Sequence, residues 1–419
     1  MIHFEKFKLE NGLTLLVLPN CKTQFVTTSL IMDVGSKDDP METSGMAHLL
    51  EHLIHRGTEN VVDFDLLVEK AGGQSNAATS LDTTAYWIKL PKNNIETAFW
   101  LQSDRLLGLK VATQDLEKEK NVIARELAER FGDRYLEALE LLVSKSFLIH
   151  PYKNSIGGGG ANSLKNVNLS EVEAFFRQFY LPSNAVWVVN GNVTSELALS
   201  LTEKWFGSIP FRPKPVRVLQ SEPLRKSKIS AVVTDIGPIN VLLLSYPVGS
   251  YMAAGYLQAK LLADLIDSGL TVLEYNLVGD DKIFSDIKST VITSFDSSLL
   301  IFQCDLNEGI LFDDAEYAFQ KTIRKLLKSR FSDHALAMIK NKEEQHFYCN
   351  SQSSPGITMM LGDCEIAMGA EHINDVIHEH QRITKSQITE IARRILIESH
   401  STIVYCKATK TPEVHEQTR

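Results

Sequence analysis

The sequence contains no run of about 18 apolar residues, the length of a helix that crosses a membrane. Its start, Met1–Lys6, does not show the basic region followed by an apolar stretch that is typical of a secretory signal. Positive charge is also in short supply, because 43 lysines and arginines stand against 52 aspartates and glutamates, giving a net charge of −9. These absences predict a protein without a membrane segment. They also argue against nucleic acid or an anionic membrane as its partner.

Cysteine is scarce and scattered. It occurs at five positions, Cys21, Cys304, Cys349, Cys364 and Cys406. The number is odd and no Cys-x-x-Cys pair occurs, so the pattern does not indicate a disulfide framework or a cysteine metal site. We therefore expect reduced, buried thiols and a cytoplasmic location.

Four consecutive glycines follow Ile156 and invite comparison with a phosphate-binding loop. No Gly-Lys-Ser/Thr follows them, and a His-Pro-Tyr turn precedes them. We expect a flexible loop at 156–160 and no phosphate site.

The arrangement of predicted strands and helices indicates two domains. A length of 419 residues, with 44% hydrophobic and 23% charged residues, is typical of a globular protein of two or more domains. Asn11-Gly12 between two apolar runs predicts a hairpin, and strands are followed by helices. After a segment rich in proline and basic residues, this order repeats at an offset of about 214 residues. The prediction is an α+β fold of two similar halves, 1–210 and 227–419, each a mainly antiparallel sheet covered by helices, joined by a linker at 211–226.

One short stretch carries a metal-binding pattern. A helix opened by Ser44 and ended by Gly57 would place His48 and His52 on the same face, one turn apart. With Glu51 the pattern is His-x-x-Glu-His, the inverted zincin motif, in which the histidines bind metal and the glutamate acts as the base. A histidine pair can also be ordinary surface polarity. The apolar neighbours of this pair predict a buried helix, however, where such side chains are costly unless something satisfies them.

A catalytic zinc usually needs a third protein ligand. The predicted helix 116–127 offers Glu119 and Glu126, which are seven residues apart and so lie on one face. Taken alone, these two would be ordinary charged residues on a long helix.

These motifs together resemble those of the M16 family of zinc peptidases, the pitrilysin, insulysin and mitochondrial processing peptidase group. Glu51–Thr58 is similar to the family's Glu-His-x(4)-Gly-Thr, and Gly72–Thr79 to its Gly-Gly-x-x-Asn-Ala-x-Thr strand. His150-Pro151-Tyr152 also falls where the family has it. The resemblance covers essentially the whole N-terminal half.

The resemblance implies roles for individual residues. Zn²⁺ would be held by His48, His52 and Glu126, while Glu119 would orient a ligand histidine. Glu51 would be the general base of a metalloendopeptidase. Manganese and cobalt suit the same ligands.

The resemblance also implies a substrate site. Asn76 and Ala77 would contact a peptide that adds as a strand near residues 74–80. Two alternatives stay open here. For Asn76 the alternative is that it caps its own strand. For His55, a second substrate-contact candidate, the alternative is an interaction with the C-terminus of its helix.

The second half departs from the family pattern. There the family supplies an arginine and a tyrosine that grip the substrate and stabilise the oxyanion. This chain has no arginine between Arg225 and Arg324, Phe284 stands where the tyrosine is expected, and Tyr275 is displaced. The resemblance therefore implies the metal-carrying subunit of a heterodimer whose second M16-like subunit provides the missing pair. A self-sufficient homodimeric peptidase and a non-catalytic assembly subunit are the alternatives, and the complete ligand set favours an enzyme.

Overall fold

The computed structural model describes residues 1–40, 43–131, 134–154, 163–235, 237–279, 282–329 and 331–409. The predicted loop at 156–160 lies outside them. The strands are β1 (Glu5–Lys8), β2 (Thr14–Pro19), β3 (Phe25–Met32), β4 (Gln74–Thr79), β5 (Thr84–Pro91), β6 (Ala185–Gly191), β7 (Ile229–Val233), β8 (Val241–Gly249), β9 (Phe284–Ile292), β10 (Ser298–Leu306) and β11 (Thr402–Cys406).

The α-helices are α1 (Met46–Arg56), α2 (Phe64–Lys70), α3 (Ile95–Asp104), α4 (Thr113–Phe131), α5 (Arg134–Ser146), α6 (Leu169–Phe179), α7 (Ser195–Phe206), α8 (Tyr256–Asp267), α9 (Val272–Leu277), α10 (Phe312–Leu326), α11 (Asp333–Gln352), α12 (Ser354–Ala367), α13 (Asp375–Arg382) and α14 (Lys385–Ile395). Among the described residues, no helix is both long and apolar enough to span a membrane.

The chain forms two compact units. The first unit comprises Met1–Ala128, Asn154–Gln220 and Glu343–His378, and its strands form one sheet in the order β1-β2-β6-β3-β5-β4. Only the β2–β6 pair is parallel in this sheet. The predicted hairpin is present as β1 and β2, and Gly12 adopts the positive φ of +88° that its turn requires. β4 forms an edge of the sheet, which leaves one side of its backbone free for another strand.

The second unit comprises Glu129–Lys153, Ser221–Lys342 and Glu379–Arg419, with a sheet in the order β7-β11-β8-β10-β9. This order repeats β2-β6-β3-β5-β4 strand for strand, including a single parallel pair, β7–β11. The predicted α+β fold of two similar halves, each with a mainly antiparallel sheet covered by helices, is therefore confirmed.

The first unit takes one of its core helices from far along the chain. α12 packs on β3 and β6, where Leu361 and Ile357 join Ile31 and Val188 in one apolar cluster. This helix lies beyond the predicted linker in sequence, so burial of apolar surface, not chain order, decides where it packs. The division into 1–210, 211–226 and 227–419 follows the sequence repeat and stays a prediction.

The predicted linker region contains no regular secondary structure at 210–225. Its early part is nevertheless tied to the first unit, because Lys214 and Arg217 form ion pairs with Asp33, at 2.6 Å and 3.1 Å, and Arg217 also binds Asp38. The prediction of five buried thiols is wrong at two positions. Cys21 and Cys349 are exposed, whereas the other three free cysteines are buried.

Candidate metal centre

Helix α1 begins differently from the prediction. Its N-cap is Gly45, in the left-handed region at φ +98°, and not Ser44. Glycine has no side chain to cap the helix, and the carboxylate of Asp39 does so from outside. Asp39 accepts the N–H groups of Gly45 and Ala47 at 2.6 Å and 2.8 Å. Burial raises the pKa of Asp39 to about 7. The helix ends as predicted at Gly57, whose N–H bonds to the carbonyl of Leu53.

The structure brings His48, His52 and Glu126 together. The two Nε2 atoms of the histidines lie 3.1 Å apart, and Oε2 of Glu126 lies 3.4 Å from Nε2 of His52 and 3.8 Å from Nε2 of His48. Zinc–ligand bonds of the usual length in a tetrahedral site place their ligand atoms roughly 3.3 Å apart. The donor set and its spacing therefore fit one metal ion.

Glu119 lies behind the ligand His52. Its Oε2 is 3.4 Å from Nδ1 of His52, and its Oε1 accepts a hydrogen bond from Arg56. A carboxylate at Nδ1 favours the proton on that nitrogen, which leaves the lone pair of Nε2 directed at the metal position. Glu119 and Glu126 both lie on α4, two turns apart, so one helix supplies the third candidate ligand and this supporting contact.

Glu51 lies buried on α1, next to His52. The hydroxyl of Thr79 on β4 donates a hydrogen bond of 2.5 Å to its Oε2. Burial raises the pKa of Glu51, and the Thr79 bond and the neighbouring His52 partly offset that rise. A carboxyl group whose pKa is raised toward neutrality can both accept and return a proton, as a general base and acid must.

A cleft of about 430 Å³ opens beside Glu51 and His52. Asn76 and Ala77, the predicted substrate contacts on the edge strand β4, line this cleft. The Oδ1 of Asn76 accepts the N–H of Ala77 at 2.9 Å, which is the local capping contact considered from the sequence. The side chain of Asn76 is exposed at the cleft, so it makes this local hydrogen bond and also lines the cleft.

His55 lies in the last turn of α1, and both interpretations of its role stay predictions. Its Nε2 lies 3.2 Å from Oδ1 of Asp65 on α2, and its side chain lines the cleft. Burial and the nearby charge of Arg105 lower the pKa of His55, so the ring is neutral at neutral pH.

The second unit repeats the metal helix without its ligands. α8 also follows a left-handed glycine, Gly255 at φ +103°, and the places of Glu51 and His52 are taken by the buried Leu261 and Leu262. Phe284 is fully buried in the apolar core. Tyr275 is 82% exposed on α9.

Sequence reasoning missed three side chains of the site: Asp39, Arg56 and Thr79. Thr79 and Arg56 fall inside the motifs quoted above, but the motifs carry no sign of which atoms they contact. Asp39 gives no signal, because it caps a helix that starts seven residues later.

Two repeated α+β units, the first carrying a His-His-Glu group that could hold a metal beside a buried glutamate, are the arrangement expected of a two-domain metallopeptidase. Residues 15–159 match the family described as insulinase, peptidase family M16, and residues 166–343 match the family described as peptidase M16 inactive domain. The chain belongs to the M16 peptidase family, which confirms the resemblance seen in the sequence.

Known relatives agree with this assignment. Zinc protease PqqE of Helicobacter pylori is 25% identical over 414 residues, which is 96% of this chain and 92% of that protein. A probable mitochondrial-processing peptidase subunit beta of Arabidopsis thaliana is 25% identical over 84% of this chain and 68% of its own length. The crystal structure of a protease from Helicobacter pylori superposes with a TM-score of 0.87 at 25% identity, covering 97% of this chain and all of that one.

Proposed function

We propose that this chain is a zinc-dependent endopeptidase subunit in which His48, His52 and Glu126 hold the metal. The observation that carries the proposal is the convergence of these three ligand atoms, all within 4.8 Å of one another, beside the buried carboxylate of Glu51. When bound, zinc supplies Lewis acidity that polarises the peptide carbonyl and makes water a better nucleophile.

Side chains of this protein transfer the proton and hold the groups that take part. Glu51 takes a proton from the attacking water at Oε1 or Oε2 and later delivers it to the nitrogen of the leaving amine. Thr79 fixes Oε2 of this carboxylate by its hydrogen bond. Glu119 holds the ring of His52 in the tautomer that leaves Nε2 free for the metal.

The substrate is proposed to be an extended peptide that adds as a strand to the open edge of β4. Main-chain hydrogen bonds then give affinity without demanding particular side chains. The side chains of β4 are small or polar and half-buried or exposed, and Asn76 and Ala77 lie where such a strand enters the cleft.

A partner is proposed to complete the site. Phe284 is buried, Tyr275 is exposed, and no arginine occurs between Arg225 and Arg324, so the described residues at these positions do not provide the expected arginine and tyrosine pair. The Arabidopsis relative is itself described as a subunit. A second M16-like chain that supplies an arginine and a tyrosine would form a heterodimer with this one. The proposed location remains the cytoplasm, and cell fractionation tests it.

The test is the substitution E51Q. The glutamine has the shape of glutamate but cannot accept the proton of water, so we expect cleavage to fall by about 10²–10⁴-fold while zinc content stays unchanged. E117Q, a substitution of an exposed glutamate on α4, is the matched control and should cleave normally. Cleavage that survives E51Q would refute the mechanism.

A separate experiment tests whether this chain needs a partner. Zinc content and peptide cleavage are measured for the purified chain alone and mixed with an M16-like chain that carries the arginine and tyrosine. Activity only on mixing supports the heterodimer, and activity alone supports the homodimeric peptidase. Absence of both zinc and activity supports a non-catalytic assembly subunit, an alternative that the description of the second matched family as an inactive domain keeps open.

A further inference from the structure

A second cavity of about 390 Å³ adjoins the metal cleft along the N-terminal end of β4. His55, Asp65 and Asn76 line both cavities and so mark where they meet. None of the motifs identified in the sequence assigns a role to Asp65 or to this second cavity.

The carboxylate of Asp65 is held in place from two sides. Its Oδ1 accepts a hydrogen bond of 2.7 Å from the hydroxyl of Ser75 on β4, and Nε2 of the neutral His55 lies 3.2 Å from the same oxygen. The side chain of Asp65 remains 55% exposed and lines both cavities. Glu69 follows one helical turn later on α2 and also lines the second cavity.

The charged side chains that line this cavity are acidic, although the buried guanidinium of Arg105 lies near His55 and Asp65 and offsets part of their charge. Among the described residues that line it, no lysine or arginine accompanies Asp65 and Glu69. In the adjoining cleft the one arginine, Arg56, is engaged by Glu119 and Asp115. The cavity therefore favours a positively charged side chain over a neutral or negative one.

The contacts of β4 set the direction of a substrate that pairs antiparallel with this strand. Thr79 bonds to Glu51 and Ser75 bonds to Asp65, so the catalytic carboxylate and the acidic cavity lie four residues apart along this strand, roughly 13 Å. A peptide that pairs antiparallel with β4 runs in the opposite direction. Its residues C-terminal to the scissile bond then extend from Glu51 toward Asp65.

We propose that Asp65 and Glu69 select substrates with a lysine or arginine within four residues on the C-terminal side of the scissile bond. This inference rests on the proposed peptidase function and names its substrate class. The enzyme then cleaves peptides at bonds that lie up to four residues before a lysine or arginine.

The test uses the full zinc-loaded chain carrying E51Q, alone and mixed with the M16-like chain that carries the arginine and tyrosine, so that peptides bind without being cleaved. Fluorescent decapeptides carry lysine, norleucine or glutamate at one position at a time, and anisotropy gives each dissociation constant. At one stretch of neighbouring positions, the peptides with lysine should bind about tenfold more tightly than the peptides with norleucine. This is the effect expected for two partly exposed charge pairs. Glutamate should bind more weakly than both.

Substitutions then test whether Asp65 and Glu69 cause the preference for lysine. D65N keeps Oδ1 as the acceptor for Ser75 and His55 and removes only the charge. The double variant D65N/E69Q should bind the lysine peptides no more than about twofold more tightly than the norleucine peptides. E59Q removes an exposed charge that lines neither cavity and should leave the preference unchanged.

The outcomes separate this inference from the proposed function. If the E51Q chain binds lysine and norleucine peptides equally at every position, the selection of basic residues is wrong, while peptide binding still supports a peptidase cleft. If the E51Q chain binds no peptide and the wild-type chain cleaves none with or without a partner, the proposed function fails and the inference fails with it.

Discussion

Replacing Glu119 with glutamine should weaken zinc binding without unfolding the protein. Glu119 is buried, with its Oε1 accepting from Arg56 and its Oε2 3.4 Å from Nδ1 of His52. If the glutamine directs its NH₂ group at His52, it donates to Nδ1 and moves the ring proton to Nε2, the nitrogen that binds metal. If the amide is turned over, the NH₂ group faces the guanidinium of Arg56, and one donor of each is left without an acceptor.

In either orientation, the amide of the glutamine in E119Q should lower the affinity for zinc. Loss of such a supporting contact typically weakens a metal site by about 10–100-fold, or about 1.4–2.8 kcal/mol. Competition with a chromophoric zinc chelator measures the change, and thermal unfolding of the metal-free variant checks its fold. E117Q changes an exposed glutamate on the same helix and should retain wild-type affinity. A zinc affinity of E119Q within twofold of wild type would show that Glu119 does not orient His52.

Two further predictions concern groups that the sequence did not reveal. T79V removes the hydroxyl bound to Oε2 of Glu51 at nearly constant volume, so kcat should fall about tenfold with zinc retained; an unchanged kcat would show that this bond does not hold the base. The pKa of Asp39 is about 7 in the folded chain and 3.8 normally, so its protonated form stabilises the native state at low pH and this contribution is lost as pH rises through 7. From pH 5 to pH 8 the free energy of unfolding should therefore fall by about 2.5 kcal/mol more for wild type than for D39N, measured by urea denaturation. Equal changes for the two proteins would contradict the assignment.

Several local features follow directly from short sequence patterns. The i, i+4 spacing of His48 and His52 places both on one helical face wherever that helix packs. The capping box at Thr384–Gln387 opens α14 because both partners lie within one turn. Asn11-Gly12 forms its hairpin turn for the same reason. The order of these elements, repeated along the chain, was enough to predict two similar α+β halves.

The completion of the site depended on contacts between residues distant in sequence. Glu126 reaches the two histidines only because α4 packs beside α1, and Thr79 reaches Glu51 only because β4 lies next to that helix. The capping of α1 by Asp39 and the insertion of α12 into the first unit's core are of the same kind. Sequence by itself determined which side chains share a helix face or a turn, since these depend on backbone geometry over a few residues. Only the tertiary structure decided which of these faces meet, because burial of apolar surface over the whole unit sets that outcome.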